Sequence, residues 1–339
     1  MQRGPGRLAL VTLIALAGIA CKKSSPPAEQ TPPAPVVIAD AATGSATGSA
    51  VGSGAGAAAA GSGQDPWSKS AAPAPKDPIA RPFLWSAEQD GKTTYFLGTM
   101  HLGVDAESRL PKLVWDKLDA APTFAMETDL SDPSLASIGQ RKSGTLHEDL
   151  GPVYWKKLED AITPAMAKAV DHMKPLIAAT LLSLQHLPKT SPMDGVLHGR
   201  ALNQKKQIVF LEAASEEVAI LEKHMNLRTL KMMLDTADQS AAQTKEMLDA
   251  YLAGDADKIV SITESQRGDA VAHGFTAAEY EQQMEDLLYK RNASWIAPIE
   301  KLHAGGGGFV AVGAMHLVGK RSVLDMLEKR GFKITRLAP

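Results

Sequence analysis

Two apolar runs of strand length open the ordered part of the chain. The runs at 83–85 and 94–97 flank Asp90 and Gly91. An Asp-Gly pair between two apolar runs indicates a β-hairpin, because both positions tolerate a positive φ. The domain is therefore expected to begin with two antiparallel strands.

A helix and a third strand follow the hairpin. Apolar residues at helical spacing predict a helix over 111–120, and the run at 123–127 predicts the next strand. A strand–helix–strand order with a short crossover favours parallel pairing. From 129 to about 262 the pattern is helical, apart from a short strand at 207–212. These features predict an α/β fold with a mixed, largely parallel sheet and a long helical insertion in its middle.

The last part of the chain returns to strands. Thr276 and Glu279 form a capping box that begins a helix. The remaining pattern predicts a helix at 287–303, a strand at 309–313, a helix at 322–330 and a strand at 333–337.

One short pattern occurs twice, near opposite ends of the folded part. The segments YFLGTMH and FVAVGAMH end at His101 and His316 and contain Gly98 and Gly313. Each apolar run predicts a buried strand, and the glycine is expected to let the backbone turn. Ligands and catalytic groups gather where strands end in open α/β sheets. Two such strands side by side would bring both imidazoles to one site.

The beginning of the chain predicts a targeting segment. Two arginines precede the apolar stretch 8–20, which is shorter than the roughly 20 residues of a membrane span and fits the core of a secretory signal. Cys21, the single cysteine, follows directly and resembles the lipobox of bacterial lipoproteins. That resemblance implies a signal peptide over 1–21 with a lipidated Cys21, and Lys22 then favours the outer membrane. Ordinary cleavage that leaves a free thiol is the alternative.

Composition divides the rest into a tether and a domain. Residues 22–81 are rich in Ala, Gly, Ser and Pro and predict a disordered tether, whereas 82–339 suits one α/β domain. The net charge of −2 without a basic stretch argues against nucleic acid as a partner. A lipidated Cys21 leaves no thiol for a zinc site or a cysteine nucleophile. We expect a cell-envelope protein that is lipid-anchored to the membrane and faces the periplasm.

Two histidines and one carboxylate are the main candidates for chemistry. His101 and His316 are predicted metal ligands, because neutral imidazole suits Mn, Co, Zn and Fe. Glu127 ends an otherwise apolar strand, which is a costly place for a carboxylate unless it is paired or metal-bound. It is a third ligand or a general base that activates water. A salt bridge to a nearby Arg or Lys is the alternative.

Four further residues are candidates for supporting roles. Asp194 either caps a helix or supports the site, and Glu212 is a candidate for orienting a histidine. Arg291, beside Asn292, either pairs with Glu127 or stabilises a developing oxyanion. The remaining histidines are expected to be solvated: His147, His172, His186, His198, His224, His273 and His303.

The ordered set of motifs resembles the TraB/GumN family, whose members include the Tiki proteins, described as metal-dependent proteases. The resemblance covers nearly all of 83–339. It rests on FLW at 83–85, both Gly-x-x-His blocks, Glu127, Asp194, Glu212 with Glu216, and Arg291 and Asn292 with Trp295. The chain has Pro192 and Met315 where the family usually has glycine. The resemblance implies a fold like that of the erythromycin-esterase and ChaN-like proteins, with both Gly-x-x-His strands and the glutamate lining one cleft.

These residues support two functional hypotheses. The first is a metal-dependent hydrolase in which His101, His316 and Glu127 hold the ion and Arg291 steadies the oxyanion from a peptide-type carbonyl. The second is a non-catalytic binding or sensor protein that uses the same cleft for a peptide or a haem-like ligand. A carboxylate at the end of an apolar strand favours chemistry over passive binding. A family member with an intact fold and no activity is the third alternative.

Overall fold

The computed structural model describes residues 77–339 apart from 130, 133–134 and 136–138. The predicted signal peptide, Cys21 and the tether up to residue 76 lie outside the described residues. Ile79 was predicted to belong to the tether, but its side chain is only 2 % exposed. Its backbone N–H donates to the carbonyl oxygen of Arg109 at 2.8 Å. The packed chain therefore begins before residue 82.

Six strands form one mixed sheet with the order β4-β3-β5-β2-β1-β6. The strands β2, β5, β3 and β4 run parallel to one another, and β1 and β6 are antiparallel to their neighbours. This confirms the α/β fold with a mixed, largely parallel sheet. The strands are β1 (Leu84–Gln89), β2 (Lys92–Thr99), β3 (Thr123–Met126), β4 (Gln207–Phe210), β5 (Gly308–Gly313) and β6 (Lys333–Leu337).

The predicted hairpin is confirmed, and one predicted pairing needs correction. β1 and β2 pair around Asp90 and Gly91, which have φ values of 50° and 71°. β2 and β3 share the predicted parallel direction, but they are not neighbours, because β5 lies between them. The local pattern could not reveal this, since β5 comes from the far end of the chain.

Helices cover the sheet and form the long middle insertion. A π-helical turn, Glu285–Tyr289, leads directly into the helix Lys290–Ala304. Among the described residues, no helix has both the length and the apolar character needed to cross a bilayer. The helices are α1 (Ala106–Arg109), α2 (Lys112–Ala120), α3 (Leu146–Ile162), α4 (Pro164–Ala169), α5 (Pro175–Leu184), α6 (Met193–Asn203), α7 (Ala214–His224), α8 (Leu227–Asp235), α9 (Ala237–Ala253), α10 (Ala256–Ala272), α11 (Ala277–Met284), α12 (Lys290–Ala304) and α13 (Val323–Glu328).

The central strands are buried on both faces, and α9 is fastened to them. Phe96 and Leu97 on β2, like Phe309 and Val310 on β5, are fully buried, as expected for parallel strands covered by helices. Tyr251 of α9 donates its hydroxyl to the carbonyl oxygen of Gly98 at 2.8 Å, and its ring stacks on Phe83 with centroids 5.1 Å apart. The same helix contributes to the cavity described below.

Candidate functional site

The pairing of β2 with β5 brings the two Gly-x-x-His motifs together. Thr99 pairs with Gly313 at the end of both strands. His101 follows β2 by two residues, and His316 ends a short 3₁₀ turn that continues from β5. The prediction that the two strands lie side by side is therefore confirmed.

The two glycines of the motifs are required by close packing. A Cβ atom on Gly98 would lie 2.9 Å from the Cα of Ala314. A Cβ atom on Gly313 would lie 3.0 Å from Nε2 of His101 and 3.4 Å from Oε1 of Glu127. Neither glycine is among the residues with a positive φ. The turns after the two strands therefore do not depend on a positive φ. Gly98 allows close packing against Ala314, and Gly313 leaves space beside His101 and Glu127.

Asp194 orients the first imidazole. Its Oδ2 lies 2.6 Å from Nδ1 of His101, and its Oδ1 accepts a hydrogen bond from the hydroxyl of Thr99 at 2.9 Å. Helix α6 begins with Pro192 at its N-cap, and no side chain caps it. The helix-cap alternative for Asp194 is therefore wrong. Because the carboxylate accepts from Nδ1, the Nε2 atom of His101 is directed towards the site.

Asn292 orients the second imidazole in the same way. Its Oδ1 lies 2.6 Å from Nδ1 of His316, while its Nδ2 donates to the carbonyl oxygen of Arg321 at 2.9 Å. The contact with Arg321 fixes which end of the amide faces the histidine, so Nδ1 of His316 carries the proton. The ring also lies against Trp295, with centroids 4.4 Å apart. Nε2 carries the lone pair, which faces the site at 3.4 Å from Nη1 of Arg291.

Glu127 lies between the two histidines. Its Oε1 is 4.0 Å from Nε2 of His101 and 3.9 Å from Nε2 of His316. The same oxygen accepts the backbone N–H of Gly313 at 2.6 Å. Its Oε2 accepts a hydrogen bond from Nη2 of Arg291 at 2.7 Å, so the predicted ion pair is present. Two nitrogens and one oxygen therefore face the same small space.

Arg291 is surrounded by three carboxylates. Its Nη2 also contacts Glu212 and lies 3.3 Å from Oε1 of Glu217, and its Nε donates to Glu212 at 3.0 Å. Its Nη1 donates to the carbonyl oxygen of Leu287 at 3.1 Å. All three guanidinium nitrogens thus have protein acceptors. This geometry favours a buried ion pair for Arg291 over the oxyanion role that was also predicted.

Sequence reasoning assigned one glutamate a different role and missed another. Glu212 does not orient a histidine; it contacts Arg291 and accepts from the indole N–H of Trp295 at 3.3 Å. Glu216 is exposed, whereas its neighbour Glu217 is only 5 % exposed. Helical spacing could have identified Glu217, because it shares the buried face of α7 with Ala214, Val218 and Leu221.

Four other histidines are less solvated than predicted: His303 is buried, and His198, His224 and His273 are half-buried. His303 is 5 % exposed, with its ring nitrogens 2.9 Å from the hydroxyl of Thr94 and 3.0 Å from the carbonyl oxygen of Gln89. His224 lies 2.9 Å from the carboxylate of Asp286. Both fasten helices to neighbouring elements.

The described residues offer two sets of possible metal ligands, of which only the first has all its ligand atoms within 4.8 Å of one another. One oxygen each of Glu127, Glu212 and Glu217 lie within 4.8 Å of one another and could hold an ion, but Arg291 already supplies the positive charge there. The other arrangement is the predicted set of His101, His316 and Glu127. Histidine ligands typically donate their second ring N–H to a carboxylate or an amide oxygen, and both histidines do so here. By chemical type, two imidazoles and one carboxylate suit a divalent transition metal. Their three ligand atoms do not all lie within 4.8 Å of one another in this structure, so a shared ion requires the two imidazoles to move closer together.

The environment separates the pKa values of the two histidines. Burial lowers the pKa of His101, but the charge and hydrogen bond of Asp194, together with Glu127, outweigh burial and raise it to about 9. Burial and the nearby Arg291 guanidinium lower the pKa of His316 to about 3. Without metal, His101 is therefore cationic at neutral pH and His316 is neutral.

The pKa values of the buried carboxyl groups also differ from one another. Burial raises the pKa of Glu127, but the neighbouring His316 imidazole and Arg291 guanidinium outweigh it and lower the pKa to about 2. Burial raises the pKa of Glu217 to about 8, against the opposing effect of Arg291. Burial also raises the pKa of Glu212. Glu127 is thus permanently ionised, and Glu217 can exchange a proton near neutral pH.

A cavity of about 500 Å³ opens from this cluster. His101, Glu127, Glu217, Arg291 and His316 all line it. Its other walls are mostly apolar and come from α5, α8 and α9 of the helical insertion. A ligand of several residues could therefore reach the histidines from this side.

We expect His101 of the metal-free protein to titrate near pH 9, and an Asp194→Asn variant to titrate well below that value. The wild-type shift stabilises the fold fully below the unfolded pKa of about 6.5. That stabilisation is lost as pH rises through about 9, because the folded state binds the proton more tightly. NMR of the histidine ring protons in chelator-treated protein measures both titrations. A wild-type midpoint near 6.5 would contradict the assignment of Asp194.

A comparison with known protein families identifies the family of this chain. No curated protein and no solved structure matches the chain. Residues 83–336 match the TraB/PrgY/gumN family over well more than half of the chain. The match includes both Gly-x-x-His strands and the residues around Arg291, and it confirms the resemblance seen in the motifs. The chain belongs to the TraB/PrgY/gumN family.

Proposed function

We propose that the protein is a metal-dependent hydrolase of the peptidase class that binds one divalent ion between His101, His316 and Glu127. One observation carries this proposal. Both Nε2 atoms face the same oxygen of Glu127, at 4.0 and 3.9 Å. Each ring is held from its other nitrogen by Asp194 or Asn292.

A bound ion of this class lowers the pKa of water and polarises a carbonyl oxygen. The chain's own residues prepare the site for it. Asp194 and Asn292 keep Nδ1 protonated and hold each ring in place. His316 is buried and His101 is half-buried, which limits access of bulk water. Arg291 balances the charge of Glu127, so that this carboxylate can remain ionised inside the protein.

Glu127 and Glu217 have different parts in this proposal. The pKa of Glu127, lowered to about 2, suits a ligand more than a base, because such a carboxylate has little tendency to accept a proton. Glu217 lines the same cavity and lies 3.3 Å from Arg291. It is the carboxyl group placed to accept a proton from water and to return it to a leaving amine.

The location of the protein is a further part of the proposal. The lipobox-like segment supports acylation of Cys21 and attachment to the cell envelope, with the family domain on the periplasmic side. We expect a Cys21→Ser variant to lose acyl labelling and to leave the membrane fraction, while Ser25→Ala behaves as wild type. Unchanged membrane attachment of the Cys21→Ser variant would contradict the lipid anchor.

Metal analysis tests the ligand set. We expect wild-type protein to contain near-stoichiometric Mn, Co, Zn or Fe, and His101→Ala and His316→Ala to lose it. Glu212→Gln and His186→Ala should retain it, because the first removes a partner of Arg291 and the second an exposed histidine at the cavity.

Two other results of the metal analysis would contradict the proposed ligand set. Loss of metal in Glu212→Gln with retention in both site histidine variants would move the ion to the carboxylate cluster. Wild-type protein that takes up no metal after incubation with each ion would favour the binding or sensor function, in which the cavity holds a peptide or a haem-like group. Circular dichroism of each variant checks that the fold is intact.

The Glu217→Gln variant tests proton transfer. We expect it to keep its metal and to lose peptide hydrolysis by about 10²-fold or more, since general acid–base groups typically contribute factors of 10²–10⁴. The matched control is Glu216→Gln, which changes the exposed neighbour on the same helix. Equal hydrolysis by Glu217→Gln and Glu216→Gln would remove Glu217 from the mechanism.

A further inference from the structure

Asp286 is a buried carboxylate at the centre of a second charged network, which does not line the cavity. Its side chain is only 9 % exposed, yet four other side chains contact it. Its Oδ2 lies 2.5 Å from Nζ of Lys223 and 2.9 Å from Nε2 of His224. Its Oδ1 accepts from Gln282 at 2.9 Å and from Lys290 at 2.8 Å. The network therefore joins the C-terminal end of α7 to the start of α12.

The π-helical turn Glu285–Tyr289 places Asp286 on the same face as Arg291. The backbone N–H of Lys290 bonds to the carbonyl oxygen of Glu285, five residues earlier. Residues five apart are therefore stacked along the axis, whereas in an α-helix they would point about 140° apart. Single π-turns inside helices occur frequently at functional sites. Here the turn directs Asp286 and Arg291 towards the same neighbouring helix, α7.

Helix α7 contacts both side chains with one face. Glu217 and His224 are seven residues apart, which is close to two turns of an α-helix. Glu217 lies 3.3 Å from Nη2 of Arg291, and His224 lies 2.9 Å from Asp286. The helix is thus held at two points, one at the cavity and one at its far end.

The contact at the cavity is the weaker of the two. At 3.3 Å, it is longer than the roughly 2.7–2.9 Å of a charge-assisted hydrogen bond, so the position of α7 decides where the Glu217 carboxyl group lies. We propose that Asp286 is a positioning residue, which holds α7 through Lys223 and His224 so that Glu217 stays opposite Arg291. Its consequence for hydrolysis rests on the proposed function, in which Glu217 transfers the proton.

A double-mutant cycle in the full chain tests this role. The proteins are wild type, Asp286→Asn, Glu217→Gln and the variant with both substitutions. Lys223→Met breaks the network from α7 at a side chain that is 58 % exposed, and it carries both comparisons if Asp286→Asn does not fold. The matched control is Asp235→Asn, which removes a carboxylate that joins α8 to α3 and does not line the cavity.

The first measurement is the solvent exchange of the Arg291 guanidinium protons, by NMR of chelator-treated protein. We expect exchange about tenfold faster in Asp286→Asn than in wild type, because a displaced α7 opens the ion pair locally. Lys223→Met should show a smaller rise. Asp235→Asn should match wild type, and the backbone amides of β2 and β5 should stay protected in every variant.

The second measurement is hydrolysis by the metal-loaded proteins of a hexapeptide of alternating alanine and leucine that carries a fluorophore and a quencher. Asp286→Asn should lower kcat about tenfold with KM unchanged, within the roughly 10²-fold that a 1 Å misplacement can cost. It should have no further effect in the Glu217→Gln background, because the group that it positions is already absent. A network that only stabilises the fold would lower hydrolysis by the same factor in both backgrounds.

Two results would overturn the inference. These are exchange of the Arg291 protons in Asp286→Asn at the wild-type rate, and an equal loss of hydrolysis on Asp286→Asn substitution with and without Glu217. Failure of the proposed function gives a different pattern. If Glu217→Gln hydrolyses the peptide as wild type does, or wild type does not hydrolyse it, the exchange rates alone decide. Faster exchange in Asp286→Asn then leaves the positioning role standing.

Discussion

The buried guanidinium of Arg291 is the interaction on which the site depends. It pairs with three glutamates that come from the end of β3, the segment after β4, and α7. Carboxylates do not accumulate in a protein interior without positive charge nearby, because their desolvation is costly. Removal of Arg291 would leave this charge unbalanced, and loss of one partner of a buried pair typically costs about 3–5 kcal/mol. The cation therefore joins the sheet and the helical insertion at the place where the chemistry is proposed.

The same charge balance makes the two histidines of the site different in charge. Asp194 stabilises the protonated form of His101, whereas His316 donates its Nδ1–H to Asn292, a neutral group, and lies beside Arg291. In the proposed centre, His101, His316 and Glu127 would hold a divalent ion, and His101 would release its proton on binding it. In the proposed centre, Asp194 and Asn292 would hold the two imidazoles in place, and Gly313 leaves the space beside His101 and Glu127.

Local sequence signals predicted the parts of the site that follow strands. The apolar runs before His101 and His316 correctly indicated buried parallel neighbours, because each run carries its own evidence of burial and of where the strand ends. Glu127 was identified for a similar reason, as a charge that follows apolar residues. Its pairing with Arg291 was one of the alternatives.

The other features of the fold and the site depend on contacts between residues far apart in sequence, which no local pattern reveals. The position of β5 between β2 and β3 joins residues about 200 positions apart in sequence. The spacing of buried residues on α7 pointed to Glu217, but the family resemblance directed attention to the exposed Glu216. Asp194 looks like a helix cap in sequence, and only the folded chain shows its carboxylate at His101.

X-ray absorption spectroscopy of the metal-loaded protein tests the central claim most directly. The account predicts an ion with imidazole scattering from two histidines and oxygen from one carboxylate, at about 2.0–2.2 Å for zinc. This imidazole signature should be lost in a His101→Ala, His316→Ala double variant. A shell of oxygen atoms alone, without imidazole scattering in the wild type, would place the ion among the carboxylates around Arg291 and contradict the proposed centre.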